Sequence, residues 1–310
     1  MSKDITVCLS YDFDAMSLWI ATFHTESPNA LSRGEFGRVG AQRILDLLAE
    51  HHIKSTWFVP GHTIEAFPAE CRRIVDEGHE VGHHGYCHEN AARLDIEQER
   101  AILERGLALI QDLTGRVPQG YRSPAGSFSP NTIRLLVDHG FVYDSSLLGD
   151  DFTPYYCRDG IKASIDAPYH FGTPVDLVEM PFSWSLDDFP IFEYTSSRRG
   201  INQGLADPAR VYDIWAGDFE YLYSKMSTGV FILTMHPQVI GRGHRMLMLE
   251  RFIKHLQSHE GVTFSTMGAF VQRWKAEHPF TGTTLTSPPD GSMDLITNLE
   301  LCWPDENRPK

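Results

Sequence analysis

No run of lysines and arginines appears anywhere in this chain. Acidic residues outnumber basic ones by 41 to 27, for a net charge of −14. A surface so short of positive charge argues against nucleic acid and anionic membrane as partners. Long apolar runs are missing too. None approaches the ~20 residues that cross a bilayer, and Ile5–Leu9 is too short for the apolar region of a secretory signal. A cytoplasmic protein is therefore expected. Cysteine is scarce: Cys8, Cys71, Cys87, Cys157 and Cys302 are odd in number and scattered, which fits reduced thiols and not a disulfide framework.

What is there is ordinary for a folded protein: 42% hydrophobic and 22% charged residues over 310 positions, enough for a large core. A barrel can use that length as one domain. A single domain over 1–310 is expected, with 278–310 as a C-terminal extension.

Apolar strand-like runs alternate with helix-period stretches about seven times. Ile5–Leu9, Thr56–Val59, His79–Gly82, Gln119–Tyr121, Phe141–Asp144, Val175–Met180, Gly229–Met235 and Val262–Phe264 read as strands. Arg38–His51, 63–77, Asp95–Thr114, 129–139, Asp207–Lys225, His244–His259 and Met267–Glu277 read as helices. The Gly-containing stretch 21–40 reads as loop, and 145–205 as a long excursion of the kind that often carries function. Alternation of this kind implies a parallel sheet with helices outside. The expectation is an α/β protein, a distorted (β/α) barrel of about seven parallel strands.

The polar residues that follow the strands carry the chemistry. Asp12 and Asp14 follow the first, His84 and His88 the third, Arg122 the fourth and His236 the late apolar strand. In a barrel all of these fall at the C-terminal mouth, where active sites are built. His84 and His88 are four apart, a spacing that can aim two imidazoles at one metal. Spacing alone is weak: His79/His83 and His255/His259 share it. A polar loop with incidental histidines is the competing reading, and the company of the other strand-end residues is what tells against it. Cys87, inside the spacer, reads as a bystander. One carboxylate and two imidazoles can hold a divalent ion with positions left open. A second Asp could take a proton from water, a separate His could give one to a leaving nitrogen, and an Arg could hold the base ionised. The reaction this suits is hydrolysis of a carboxamide.

Together these residues resemble the polysaccharide deacetylase family, of the nodulation-type deacetylase homology domain. Asp12-Phe13-Asp14 resembles its first motif, His84-Gly85-Tyr86-Cys87-His88 its metal motif, Arg122-Ser123-Pro124-Ala125-Gly126 its Arg motif, and Thr234-Met235-His236-Pro237 its catalytic-His motif, over residues 5–275. The resemblance implies a distorted barrel, Asp14, His84 and His88 as ligands of a divalent ion such as zinc, Asp12 as base and His236 as acid, with Arg122 in support. Phe13 departs from the family's adjacent aspartates. With Trp57–Gly61 and Gly241–Arg245 it resembles a cytoplasmic branch of allantoinase-like, cyclic-imidase-like and peptidoglycan-deacetylase-like members.

The leading expectation is a metal-dependent hydrolase of small amides or imides. An N-acetyl-sugar deacetylase, acting on peptidoglycan or chito-oligomers, is the close rival, and a non-catalytic binding protein on the same barrel a third. For substrate binding, Trp184 lines the pocket or is ordinary loop, as do Asp187 and Asp188. Tyr86 packs beneath the ligands, and Arg242 and Arg245 clamp an anionic group or else cap a helix. His83 supports the site by a hydrogen bond. The apolar residues of 280–304 predict a homo-oligomer, dimer or tetramer.

Overall fold

The computed structural model describes residues 2–197 and 200–282. Eleven strands are found among them: β1 Asp4–Asp12, β2 Thr56–Val59, β3 Glu80–His83, β4 Gly120–Tyr121, β5 Tyr143–Asp144, β6 Tyr155–Asp159, β7 Thr173–Glu179, β8 Thr195–Ser197, β9 Gly200–Asn202, β10 Thr228–Met235 and β11 Val262–Phe264. The helices are α1 Pro28–Glu50, α2 Gly61–Ala66, α3 Pro68–Asp76, α4 Ile96–Thr114, α5 Thr132–Asp138, α6 Asp188–Phe192, α7 Pro208–Lys225, α8 Pro237–Ile240, α9 Gly243–Gln257 and α10 Met267–Glu277.

The main sheet runs β10-β1-β2-β3-β4-β5-β7-β6, with β11 also on β1. Every pairing in it is parallel except β6 on β7. It curls into the expected distorted (β/α) barrel. β1 is the central strand, and eight of its nine residues are buried. β10 pairs along its whole length on one side, while β11 and then β2 share the other. Strands covered on both faces need near-continuous apolar sequence, which is why Ile5–Leu9 and Gly229–Met235 stand out.

The seam between β6 and β10, the two edges of the main sheet, has no regular ladder among the described residues. The Val230 N–H donates to the Phe152 carbonyl at 2.9 Å across it, and the segment after β7 adds a bridge from Asp187 to Thr234. The segment that closes the barrel there runs from Trp184 into α6, and so delivers Asp187 and Asp188 to the end of β10. Antiparallel β6 covers the outer edge of β7, which would otherwise be an open template for pairing.

Two expectations are corrected. Residues 28–37, read as loop, are the first turns of α1. Pro28 sits in its first turn, where a missing N–H costs nothing. Its glycines are not loop signals: Gly34, Gly37 and Gly40 recur every three residues on one buried face. A Cβ at Gly34 would sit 2.5 Å from the Ala15 carbonyl oxygen, and one at Gly40 would drive into Pro237. The stripe lets the helix backbone lie directly on the loops after β1 and β10. The helix read over 63–77 is two, α2 and α3, broken at Phe67 because Pro68 disfavours helical geometry in the residue before it. By contrast α4 starts with a capping box, Asp95 with Gln98, and stops at left-handed Gly115, as sequence signals predict.

Phe280 packs on Tyr156, ring centroids 4.9 Å apart. Leu295, Ile296, Leu299, Leu301 and Trp303, on which the assembly expectation rests, lie outside the described residues. Among the described residues no helix is long and apolar enough to cross a membrane.

Candidate active site

Each candidate residue is aimed by the strand it ends. β1 stops at Asp12, but its alternation does not: the Phe13 N–H still donates to the Phe58 carbonyl at 2.9 Å. Asp12 and Asp14 therefore share the inner face, and Phe13 turns outward onto Phe67 and Trp57. The intervening Phe13 is the apolar half of an in–out–in pattern.

After β3 the chain makes a tight loop. Gly85 has φ +69°, and a Cβ there would press against the Glu89 carboxylate at 2.9 Å. That carboxylate accepts the N–H groups of Tyr86 (3.0 Å) and Cys87 (2.8 Å). The loop holds His88 at φ +57°, a left-handed conformation that costs a side-chain-bearing residue on the order of 1 kcal/mol. The strain turns its imidazole back toward His84, ring centroids 5.2 Å apart.

Asp14 Oδ1 lies 3.3 Å from His84 Nε2 and Asp14 Oδ2 4.0 Å from His88 Nε2. One donor atom from each of the three falls within 4.8 Å of the others, and all three side chains are buried. Cys87 is not in the group. The donors fit a divalent cation on an independent observation: Asp14 Oδ1 and His84 Nε2 are buried without any hydrogen-bond partner. His84 Nδ1 donates to the Arg122 carbonyl at 2.7 Å, and His88 Nδ1 pairs with Thr22 Oγ1 at 2.8 Å. Both Nε2 lone pairs are thereby pointed inward, as outer hydrogen bonds do for metal-binding histidines. Burial alone would raise Asp14, but His88, His84 and His236 hold it down to about 2. Burial also keeps His88 neutral, lowered to about 4.

Asp12 faces the same space. Arg122 donates to its Oδ1 at 2.9 Å and is otherwise tied to Ser10, to the Ser145 carbonyl and to the Ser145 hydroxyl. The guanidinium lies 4.4 Å from the Phe58 ring. Asp12 Oδ2 is left facing inward, 3.8 Å from His84 Nε2 and 4.0 Å from His236 Nε2.

His236 is held by a residue that sequence reasoning weighed only as a pocket-or-loop residue. Asp188 accepts its backbone N–H at 3.0 and 3.1 Å and its Nδ1–H at 2.7 Å. Nε2 then points toward Asp14 and Asp12. Burial opposes charge on His236, but Asp187, Asp188 and Asp14 outweigh it and raise the imidazole well above its ordinary value. Burial and the neighbouring Asp188 lift Asp187 to about 7.

These groups line a cavity of about 150 Å³ with Leu18, Thr22, Phe182, Trp184 and Phe189 among its other walls. Trp184, 45% exposed, stands at its rim, edge-on to Phe182 at 4.8 Å. Three expected residues lie off the cavity. Tyr86 does not sit beneath the ligands: its hydroxyl donates to Glu65 and Arg105 covers its ring. Arg245 is buried away from the cavity, donating to the carbonyls of Val239 and Phe192. Arg242 stacks on Phe36 instead of reaching the mouth. His83 bonds the Leu103 carbonyl and the Gly85 N–H, so it shapes the loop instead of contacting the donors. Thr22, Glu89 and Asp188 were not assigned these roles from sequence, nor was Gln238, whose Nε2 donates to Asp14 Oδ2 at 3.3 Å. Only Asp188 carried a usable signal, as half of an Asp-Asp pair in the long excursion.

The polysaccharide deacetylase family profile matches residues 30–143. A peptidoglycan deacetylase from Helicobacter pylori is 40% identical over 292 residues, which cover 90% of this chain and 99% of that protein. A peptidoglycan deacetylase-like protein of Gibberella zeae is 34% identical, covering 82% of this chain and 81% of its own. Among solved structures, a Mycobacterium smegmatis protein assigned to the polysaccharide deacetylases is 31% identical. It covers 93% of this chain and 96% of its own, with TM-score 0.79. A Puue allantoinase shares the fold at TM-score 0.72 and 23% identity, over 89% of this chain and 92% of its own. The chain is thus a barrel hydrolase of carbon–nitrogen bonds other than peptide bonds. More narrowly, it belongs to the polysaccharide deacetylase family.

Proposed function

We propose that the chain removes the acetyl group from an N-acetylated amino sugar of a peptidoglycan-type glycan. The observation that carries this is the 40% identity to a peptidoglycan deacetylase across 99% of that protein. The allantoinase, by contrast, is alike in fold alone. The expected order of the two substrate classes is therefore reversed: the sugar amide leads and the small cyclic amide or imide follows.

Asp14, His84 and His88 would hold the cation, for which two imidazoles and a carboxylate suit zinc. When bound, it supplies Lewis acidity to the acetamide carbonyl and to a water beside it. The chain's own residues do the rest. Asp12 Oδ2 takes the proton of the attacking water, while Arg122 fixes Oδ1 and so aims the other oxygen. His236, kept protonated by Asp187 and Asp188, delivers a proton from Nε2 to the departing sugar nitrogen. The carbon–nitrogen bond breaks, the amine leaves neutral, and acetic acid is released and ionises to acetate as Asp12 gives up its proton and His236 regains one. A cavity of about 150 Å³ admits the acetamide group. The sugar ring would lie outside it against Trp184, whose exposed indole offers an apolar face.

Acetate release from N-acetylglucosamine oligomers and peptidoglycan fragments, set against ring opening of an imide and a hydantoin, tests the reading. Acetate from the glycans supports it. Ring opening without acetate release returns the first place to the small amide. No turnover of either by metal-loaded protein favours a binding role.

A further inference from the structure

The two histidines that share the metal-like spacing but lie elsewhere in the sequence, His255 and His259, meet a third donor in the fold. Both Nε2 atoms lie 3.2 Å from Glu220 Oε1. His255 lies in the last turn of α9, His259 just beyond its end, and Glu220 lies on α7. This is the end of the barrel opposite the cavity, because α9 starts beside the loop after β10 and runs away from it.

We propose that Glu220, His255 and His259 form a second divalent-metal site, of transition-metal type. Ligand bonds of about 2.0–2.2 Å to a tetrahedral ion put neighbouring donor atoms about 3.3–3.6 Å apart. The two separations of 3.2 Å are close to that edge. The imidazoles stand at 80° with centroids 4.8 Å apart, so their lone pairs can converge without the rings colliding.

Hydrogen bonding supplies an independent observation. His259 Nδ1 donates to the His255 carbonyl at 2.8 Å, so a neutral His259 presents a bare Nε2 lone pair to the Glu220 oxygen. His255 Nε2 is buried and has no hydrogen-bond partner. A proton placed on one imidazole leaves the other ring's lone pair against the same carboxylate oxygen. A single cation satisfies all three donors. On the core side Phe219 and Tyr223 wall the pair, at 4.9 and 4.7 Å from His259, while Glu220 remains 48% exposed on its outer side. An ion can enter from solvent, and a fourth position faces outward. Two imidazoles with one carboxylate select zinc-like ions over calcium or magnesium. Bridging α7 to α9, the site would hold the two helices together and bind only the folded chain.

The test uses the untagged, full-length chain, stripped of metal and titrated with zinc alone. With the cavity donors removed (His84→Ala with His88→Ala), we expect one zinc per chain by equilibrium dialysis and a zinc-dependent rise in thermal midpoint. Adding His255→Ala and His259→Ala should abolish both effects, and Glu220→Gln should weaken binding by tenfold or more. Should the cavity variant fail to fold, the wild-type background serves. There, two zinc ions should fall to one on His255→Ala with His259→Ala while deacetylation of the glycan probe is unchanged. A cavity variant that folds and binds no zinc overturns the proposal. So does zinc binding outside the cavity that is indifferent to these three substitutions.

Discussion

Replacing Asp188 by asparagine changes almost nothing in volume and removes one charge from behind His236. Two donors converge on that carboxylate: the His236 N–H, shared between its oxygens at 3.0 and 3.1 Å, and Nδ1–H at 2.7 Å. A hydrogen bond to a charged group contributes about 1.5–3 kcal/mol, and 1.4 kcal/mol is about tenfold in rate. Loss of that support from the imidazolium alone predicts a fall of about 10–100-fold in kcat. If the new amide turns its NH₂ toward Nδ1, the ring must carry its neutral proton on Nε2, and losses near 10⁴-fold become possible, as for triads given the wrong tautomer. The expected result is a kcat lower by about 10–10⁴, with KM and bound zinc unchanged. The pH profile gives a second reading. His236 must be protonated to act, so activity falls as pH rises through its pKa. Asp187, Asp188 and Asp14 hold that pKa up against burial. Removing Asp188 should therefore bring the alkaline limb to lower pH. Acetate release measured across pH, with metal content assayed alongside, checks both. A kcat within threefold of wild type, or a loss traced wholly to missing metal, would refute the role given to Asp188.

Asp12→Asn should keep its metal while losing most of kcat, whereas His88→Ala should lose metal and activity together with the fold intact; a His88→Ala protein with full metal content would end the ligand assignment. Gly106→Ala should destabilise by about 1–3 kcal/mol in chemical denaturation despite alanine's better helix propensity, because the new Cβ overlaps His83 Nε2 and sits 2.9 Å from its Cδ2. His79 and His83 should make the fold acid-sensitive. Burial lowers them from about 6.5 to about 4 and about 3. Both accept backbone N–H bonds on Nδ1, from Ser55 and Gly85, which protonation would break. They bind fewer protons folded than unfolded, so stability is full above pH 6.5 and drains as pH falls from there toward 4. The slope is at most about 2.7 kcal/mol per pH unit with both titrating. Denaturation midpoints that stay flat between pH 7 and 4.5 would contradict this.

The barrel was legible because its strands are buried on both faces and so are continuous in apolar residues, and because its helices carry local signals. Asp207-Pro208, Asp95 with Gln98, and Gly115 mark helix ends through hydrogen bonds made within a few residues. What could not be read were the features set by distant contact. Gly34, Gly37 and Gly40 look like loop residues until the Ala15 and Pro237 backbones they lie against are known. The bridge from Asp187 to Thr234 joins residues 47 apart, with no periodicity to announce it.

The site divides in the same way. Asp12, Asp14, His84, His88, Arg122 and His236 were found because each ends a strand, and a barrel gathers strand ends at one mouth. The residues that tune them lie on connections whose course no strand period dictates. Thr22 follows the turn after β1, Glu89 closes the loop after β3, and Asp188 arrives from the excursion. Each touches a ligand, its loop or the acid through one or two hydrogen bonds. Arg242 and Arg245 show the converse error. They sit near the His-Pro motif in sequence, but the turn of α8 carries them behind it. There Arg245 donates to the carbonyls of Val239 and Phe192, away from the cavity. Proximity along the chain identified the right loop and the wrong face. In such a site the strand ends determine which chemistry is available, and the loops decide which substrate reaches it. Substrate choice should therefore respond more to changes at Trp184 and Phe182 than to any further change at the strand ends.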